Sequence, residues 1–103
     1  MTLPTLRTLK TFMIVARKFI ISGTVQGVGF RFFAQRAAAR HQVLGYVKNL
    51  EDGRVETLAE GEAKTVEAFK HDLTAGPSYS NVEHIEEIVL DPSGWYSSFR
   101  IER

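Results

Sequence analysis

The spacing of hydrophobic and polar positions changes several times along the chain, which divides it into short strands and helices. Residues 15–25 are rich in β-branched and aromatic side chains and predict a buried strand. After a run of glycines, apolar residues recur at helical spacing and predict an amphipathic helix from Phe30 to His41. The apolar stripe of that helix consists of Phe30, Phe33, Ala34, Ala37, Ala38 and His41.

Two short extended runs, residues 43–49 and 54–60, follow the first helix. The connection between them contains Asp52-Gly53, a pair that favours a hairpin because it tolerates positive φ. The two runs are therefore predicted to pair antiparallel.

The second half of the chain predicts one more helix and two more strands. The helix is expected to begin at Gly61. Its apolar face is formed by Val66, Phe69 and Leu73. The last two strands, residues 84–90 and 96–102, are separated by turn-forming residues 91–94, and their imperfect alternation is compatible with a bulge.

The predicted order is βαββαβ with one further strand, which is the ferredoxin-like plan. We expect an α+β sandwich, in which an antiparallel sheet of four to five strands carries both helices on one face. Each helix returns the chain to the same sheet, so both crossovers are expected to be right-handed. Many functions occur on this fold, so the fold alone assigns none.

The first 14 residues differ from the rest of the chain. Thr-Leu occurs three times among them and acidic residues are absent. We expect residues 1–14 to be a flexible N-terminal extension, with Met13 as a candidate alternative start, and residues 15–103 to form the domain. The alternative is an organellar targeting segment, although a single Arg offers it little support.

Composition narrows the function classes. With 103 residues, 44% hydrophobic and 24% charged, the chain has the balance of one globular domain, for which a monomer is the default expectation. A net charge of +1 predicts no nucleic-acid or membrane partner, and no apolar run approaches the ~20 residues of a membrane span. The absence of cysteine excludes thiolate chemistry and suits the cytoplasm, although exported proteins also lack it.

The stretch between the first strand and the first helix has the composition of an anion-binding loop. Glycines let the backbone approach a ligand closely. The first N–H groups of a helix have no acceptor within the helix, and an anion can accept their hydrogen bonds. Arg31 adds a planar, permanently charged fork. The alternative is a simple turn in which Arg31 is solvated. However, the helix dipole does not stabilise a cation at the helix N-terminus unless an anion binds there. The predicted phosphate-binding residues are Gln26, Gly27, Val28, Gly29, Phe30 and Arg31.

Other polar residues carry weaker signals. Asn49 ends the second strand, where it is either a turn residue that bonds its own backbone or part of a site, and spacing leaves this open. The three histidines, His41, His71 and His84, lie in different elements without the spacing of metal ligands, so no metal and no cofactor are expected.

Residues 23–31 resemble the phosphate-loop signature of the acylphosphatase family, and residues 45–61 resemble its second signature. The resemblance covers residues 15–103, and only the N-terminal extension departs from it. It implies a metal-independent hydrolase that converts a small acyl phosphate to a carboxylate and inorganic phosphate. It also implies two catalytic residues, with Arg31 binding the phosphoryl group and Asn49 orienting the attacking water.

Two rival functions share the predicted fold. One is a non-catalytic phosphate- or anion-binding module, like the acylphosphatase-like domain within larger maturation factors. The other is an RNA-binding domain, which needs exposed aromatic side chains on its central strands. Residues 54–60 contain no aromatic side chain and two acidic ones, which disfavours RNA binding.

Overall fold

The computed structural model describes residues 13–103. Residues 1–12 lie outside the described residues, so the predicted N-terminal extension stays a prediction. The order of elements is the predicted one, and the ferredoxin-like α+β fold is confirmed. The elements are β1 (Ile14–Thr24), α1 (Phe30–His41), β2 (Leu44–Asn49), β3 (Val55–Glu62), α2 (Ala63–Ala75), β4 (Asn81–Leu90) and β5 (Phe99–Glu102).

The core lies between the two helices and one face of the sheet. The predicted apolar faces of α1 and α2 are buried there, apart from Phe33 and His41, which are half-buried. The largest side chains that are fully buried in this core are Phe19, Ile21, Phe30, Phe69 and Leu73. Within residues 13–103, neither helix is long and apolar enough to cross a membrane.

The sheet contains five strands in the order β4-β1-β3-β2-β5. β1 pairs antiparallel with β3 and β4, and β2 and β3 form the predicted antiparallel hairpin. The start predicted for the second helix was wrong by two residues, because Gly61 and Glu62 still pair with β1 and α2 begins at Ala63. The prediction of a wholly antiparallel sheet was also wrong, because β5 pairs parallel with β2.

The parallel strand results from a chain crossing that the sequence pattern did not reveal. β4 and β5 lie at opposite edges of the sheet, so residues 91–98 must cross from one edge to the other. Glu60 points away from the helices and accepts hydrogen bonds from Ser93 N (2.9 Å), Ser93 Oγ (2.7 Å) and Gly94 N (3.2 Å). Further along, the Tyr96 and Tyr46 rings lie 6.2 Å apart. The face opposite the helices is therefore partly covered by this segment.

The carboxylate of Glu60 is buried but satisfied. Burial alone would raise the pKa of Glu60, but the hydrogen bonds from Ser93 and Gly94 outweigh this effect and lower the pKa. Glu60 therefore stays ionised at neutral pH and anchors the crossing segment to β3.

The two helices are joined by a polar contact at the C-terminal end of α1. Asp72 of α2 accepts from Arg40 Nη2 at 2.7 Å, and its Oδ2 lies 2.7 Å from His41 Nε2. The Arg40 hydrogen bond, with help from His41, lowers the pKa of Asp72, although partial burial opposes this. Cations at this position also complement the helix dipole.

Replacing Asp72 with Asn is expected to lower the free energy of unfolding by about 1 kcal/mol at neutral pH, because both contacts lose their charge assistance. A lowered folded-state pKa means that the contribution of Asp72 is complete above its unfolded pKa of about 3.9 and is lost as the pH falls through the folded-state value. Urea unfolding at neutral and acidic pH measures the difference, with Asp91→Asn in an exposed loop as control. A difference that is unchanged in acid would contradict this account.

Candidate active site

The connection between β1 and α1 adopts an uncommon backbone conformation. The pairing of β1 with β4 shifts register between Ser22 and Gly23, just before the strand ends. Gly27 and Gly29 then have φ values of +74° and +77°, in the left-handed region. Open space surrounds the position of a Cβ at both glycines. Glycine is favoured at both positions because of the backbone conformation rather than for lack of space.

The N-terminus of α1 carries no cap of its own. Gly29 occupies the N-cap position, no side chain of the described residues caps the first amides, and the first turn contains no acidic residue. The first helical hydrogen bond runs from Phe33 N to Gly29 O at 3.0 Å. The amides before Phe33 therefore lack helical partners, and the helix dipole favours an anion beside them.

These amides face a cleft of 140 Å³ at one end of the sheet. The cleft brings together most of the predicted site residues. Val28 is the exception, since it packs against the hydrophobic core instead. The lining residues are Val25, Gln26, Gly27, Gly29, Phe30, Arg31, Phe32 and Asn49.

Arg31 brings a positive charge to the cleft, and no carboxylate within residues 13–103 forms an ion pair with it. Its one hydrogen bond in this part of the chain is long, from Nη1 to the Glu102 carbonyl oxygen at 3.5 Å. The guanidinium therefore keeps donors available for an anion in the cleft.

Asn49 reaches the same cleft because of the strand directions. β1 and β2 both run antiparallel to β3, so their carboxyl ends, at Thr24 and Asn49, lie at the same end of the sheet. The hairpin after Asn49 is closed by Leu50 N to Arg54 O (2.8 Å) and Gly53 N to Leu50 O (3.2 Å). The turn thus forms without the Asn49 side chain, which favours the site interpretation over the turn interpretation.

Gln26 lies in the loop, but its side chain does not serve the loop alone. Nε2 donates to Leu50 O at 2.8 Å and to Arg54 O at 2.9 Å, both in the β2–β3 turn. The sequence placed Gln26 among the phosphate-binding residues without indicating this contact. Its two acceptors lie more than twenty residues away in the chain, and no local pattern signals such a pairing.

Phe32 lines the cleft although the sequence analysis did not select it. Its side chain is 62% exposed, whereas the neighbouring Phe30 is buried in the core. The available signal was its position off the apolar stripe of α1, immediately after Arg31.

The histidines lie outside the cleft. His41 contacts Asp72, and both His71 and His84 are exposed. Within residues 13–103, no group of three or more His, Cys, Asp or Glu side chains is arranged to hold a metal ion. Three larger hollows, of 210, 420 and 760 Å³, contain neither Arg31 nor Asn49. Among these four hollows of residues 13–103, the small cleft is the one that joins the helix N-terminus to Arg31 and Asn49.

Comparison with known proteins points to one family. The family model described as Acylphosphatase matches residues 17–101. A curated acylphosphatase from Actinobacillus succinogenes is 41% identical over 90 residues, which cover 87% of this chain and 100% of that relative.

Solved structures agree with the family match. Acylphosphatase from Bacillus subtilis has a TM-score of 0.84 and 36% identity, covering 88% of this chain and 100% of that one. HypF from T. kodakarensis has a TM-score of 0.77 and 37% identity, covering 86% of this chain but 12% of its own. Since the model match spans most of the chain and full-length relatives are more than 30% identical, the protein belongs to the acylphosphatase family.

Proposed function

We propose that this protein is an acylphosphatase that hydrolyses the carboxyl–phosphate bond of small acyl phosphates without a metal. The observation that carries the proposal is the shared cleft, in which loop amides, the Arg31 guanidinium and the Asn49 carboxamide meet. Membership of the acylphosphatase family supports the same activity.

The phosphoryl group would bind where the loop meets α1. Backbone N–H groups of Gly27, Gly29, Phe30 and Arg31 provide donors, and the helix dipole favours the negative charge. Arg31 adds a fork that holds two phosphoryl oxygens at once. Each charge-assisted hydrogen bond contributes about 1.5–3 kcal/mol in such a setting. Phosphate is therefore held locally, despite the near-neutral charge of the whole chain.

Asn49 is suited to orient the attacking water. A carboxamide both accepts and donates hydrogen bonds, so it can accept one from water and donate one to a phosphoryl oxygen. Orienting water in this way lowers the barrier because the reactants meet in a fixed geometry. Asn49 need not carry a charge to do this.

The reaction balances without a base or acid from the protein. Water oxygen forms a bond to phosphorus while the bond from phosphorus to the acyl oxygen breaks, and the electron pair leaves with the carboxylate. The water protons stay on the phosphate product, so the dianionic substrate gives a carboxylate and dihydrogen phosphate. A carboxylate has a conjugate-acid pKa of about 4 and departs unprotonated. Positioning and charge stabilisation by Arg31 then supply most of the catalysis.

A non-catalytic phosphate-binding module is the second candidate. The observation that favours it is the likeness to HypF, of which the matched part is 12% of the chain. Both candidate catalytic residues are present in this protein, which favours turnover. Saturable binding of phosphate with no hydrolysis of any acyl phosphate would establish the module instead.

The proposed enzyme acts as a monomer in the cytoplasm. The donors that the scheme requires, Arg31 and Asn49 among them, already meet in one cleft of one chain, which supports a monomer. The chain contains no cysteine, in keeping with a reducing compartment.

The wild-type protein is expected to hydrolyse acetyl phosphate and benzoyl phosphate in the presence of EDTA, and Arg31→Ala is expected to lower kcat/KM by about 10²–10³-fold. Steady-state phosphate release measures both. Arg36→Ala, which removes an exposed arginine from the same helix, serves as the control and should stay near wild type. Loss of wild-type activity in EDTA would contradict the metal-free scheme.

Asn49→Ala is expected to lower kcat by about a hundredfold while the Ki of inorganic phosphate changes less than about threefold. The reason is that Asn49 positions water, whereas the loop and Arg31 hold the phosphate. Asn81→Ala, at an exposed position on β4, is the matched control. Equal losses in turnover and in phosphate affinity would refute this division of roles.

The value of kcat is expected to vary little between about pH 6 and 8, because asparagine does not ionise and arginine side chains stay protonated. The histidines lie outside the cleft and should leave no imprint on the rate. A pH–rate profile at saturating substrate tests this. A single inflection near the ordinary histidine pKa would require a titrating catalytic group that the scheme lacks.

A further inference from the structure

The Gln26 side chain bridges the two halves of the cleft. A carboxamide has two N–H donors, and the two acceptors within reach of Gln26 Nε2 are the carbonyls of Leu50 (2.8 Å) and Arg54 (2.9 Å). The opposite orientation of the amide would set its oxygen against two carbonyl oxygens. Both donors are therefore engaged, and the side chain has none left for a bound anion.

The acceptors belong to a turn that also has hydrogen bonds of its own. Leu50 N donates to Arg54 O, and Gly53 N donates to Leu50 O. Asp52 closes the same turn from outside, with its carboxylate bonded to Arg54 N (3.1 Å) and Arg54 Nε (2.8 Å). A hydrogen bond to this turn therefore restrains the whole turn and the preceding residue, Asn49.

Gln26 lies next to the phosphate-binding loop in the chain, and the residue that it contacts, Leu50, lies next to Asn49. Gly27, with its left-handed backbone, follows it directly. Asn49 directly precedes Leu50 at the end of β2. The bridge therefore connects the proposed phosphate-binding amides to the proposed water-orienting carboxamide, and each of these groups belongs to a residue next to one end of the bridge.

We propose that Gln26 is a positioning residue, whose side chain sets the placement of Asn49 relative to the phosphate-binding loop. The inference rests on the proposed function and adds to it the device that aligns water with phosphorus. The backbone N–H of Gln26 stays with the loop, whereas its side chain acts through the hairpin. Loss of the side chain should therefore affect turnover rather than phosphate binding.

Gln26→Met keeps the length of the side chain and removes both donors, and Gln26→Glu keeps its shape while it places a charge against the two carbonyls. Both variants are expected to lower kcat by about ten- to a hundredfold, since a misplacement of about 1 Å costs up to that much. The Ki of inorganic phosphate should change less than about threefold in Gln26→Met. Gln35→Met is the matched control, because Gln35 Nε2 also donates to a distant carbonyl, Phe99 O at 3.4 Å, outside the cleft.

A double-mutant cycle separates positioning from general support of the fold. In an Asn49→Ala background there is no water-orienting group left to align, so Gln26→Met should lower kcat less than about threefold further. The same fold-loss in both backgrounds would overturn the inference. A loss in phosphate affinity as large as the loss in kcat would overturn it as well.

A measurement without substrate tests the Gln26 contact independently of the kinetics. Amide hydrogen exchange at Leu50 and Gly53 is expected to accelerate in Gln26→Met but not in Gln35→Met, because the bridge no longer holds the turn. Unchanged exchange at both amides would refute the bridge itself. Failure of the wild-type protein to hydrolyse acyl phosphates would refute the proposed function, and the exchange result would still decide whether Gln26 holds the turn.

Discussion

The unpartnered backbone amides at the start of α1 are the interaction around which the molecule is organised. A helix whose first turn has no cap and no acidic side chain leaves donors that only a ligand or water can satisfy. The left-handed conformations of Gly27 and Gly29 belong to the same feature, since they form the loop that turns from β1 into α1. Arg31 then adds a cation where the dipole alone would disfavour one. An anion bound at this position would offset the local cost of the arrangement.

The sheet brings the other half of the site to these amides. Two antiparallel pairings, β1 with β3 and β3 with β2, direct the ends of β1 and β2 to the same end of the molecule. Asn49 thus lies beside the loop because of strand direction, and no local feature of its own sequence is needed. Strand direction brings Asn49 only roughly close to the loop. The hydrogen bonds that Gln26 donates to the hairpin then fix the distance between them. The sheet, the loop and the hairpin contact therefore each restrict the geometry of the cleft further.

Local features were predictable and distant ones were not. The helix Phe30–His41 was predicted to the residue, because its stripe is periodic and glycines mark its start. The loop and Asn49 were selected from glycine spacing and from the resemblance of two segments to family signatures. In contrast, the parallel pairing of β5 with β2 was not predicted, because two consecutive strands joined by a turn usually pair with each other. The hydrogen bonds that Glu60 accepts from the crossing segment join residues distant in sequence, so no local pattern indicated them. The two partners of the Gln26 amide were hidden for the same reason, because sequence patterns carry little information about side-chain contacts between distant segments.

The parallel pairing of β2 with β5 also has a consequence for how the protein folds. Gly45 and Phe99 are partners although about half of the chain lies between them, and the entropic cost of closing so long a loop slows folding. The pairing of β4 with β1 closes loops that are longer still, so both edge strands, β4 and β5, should join the sheet late. Because the Glu102 carbonyl of β5 accepts the hydrogen bond of Arg31, a nascent chain still lacking β5 would hold its phosphate loop without this constraint on the guanidinium.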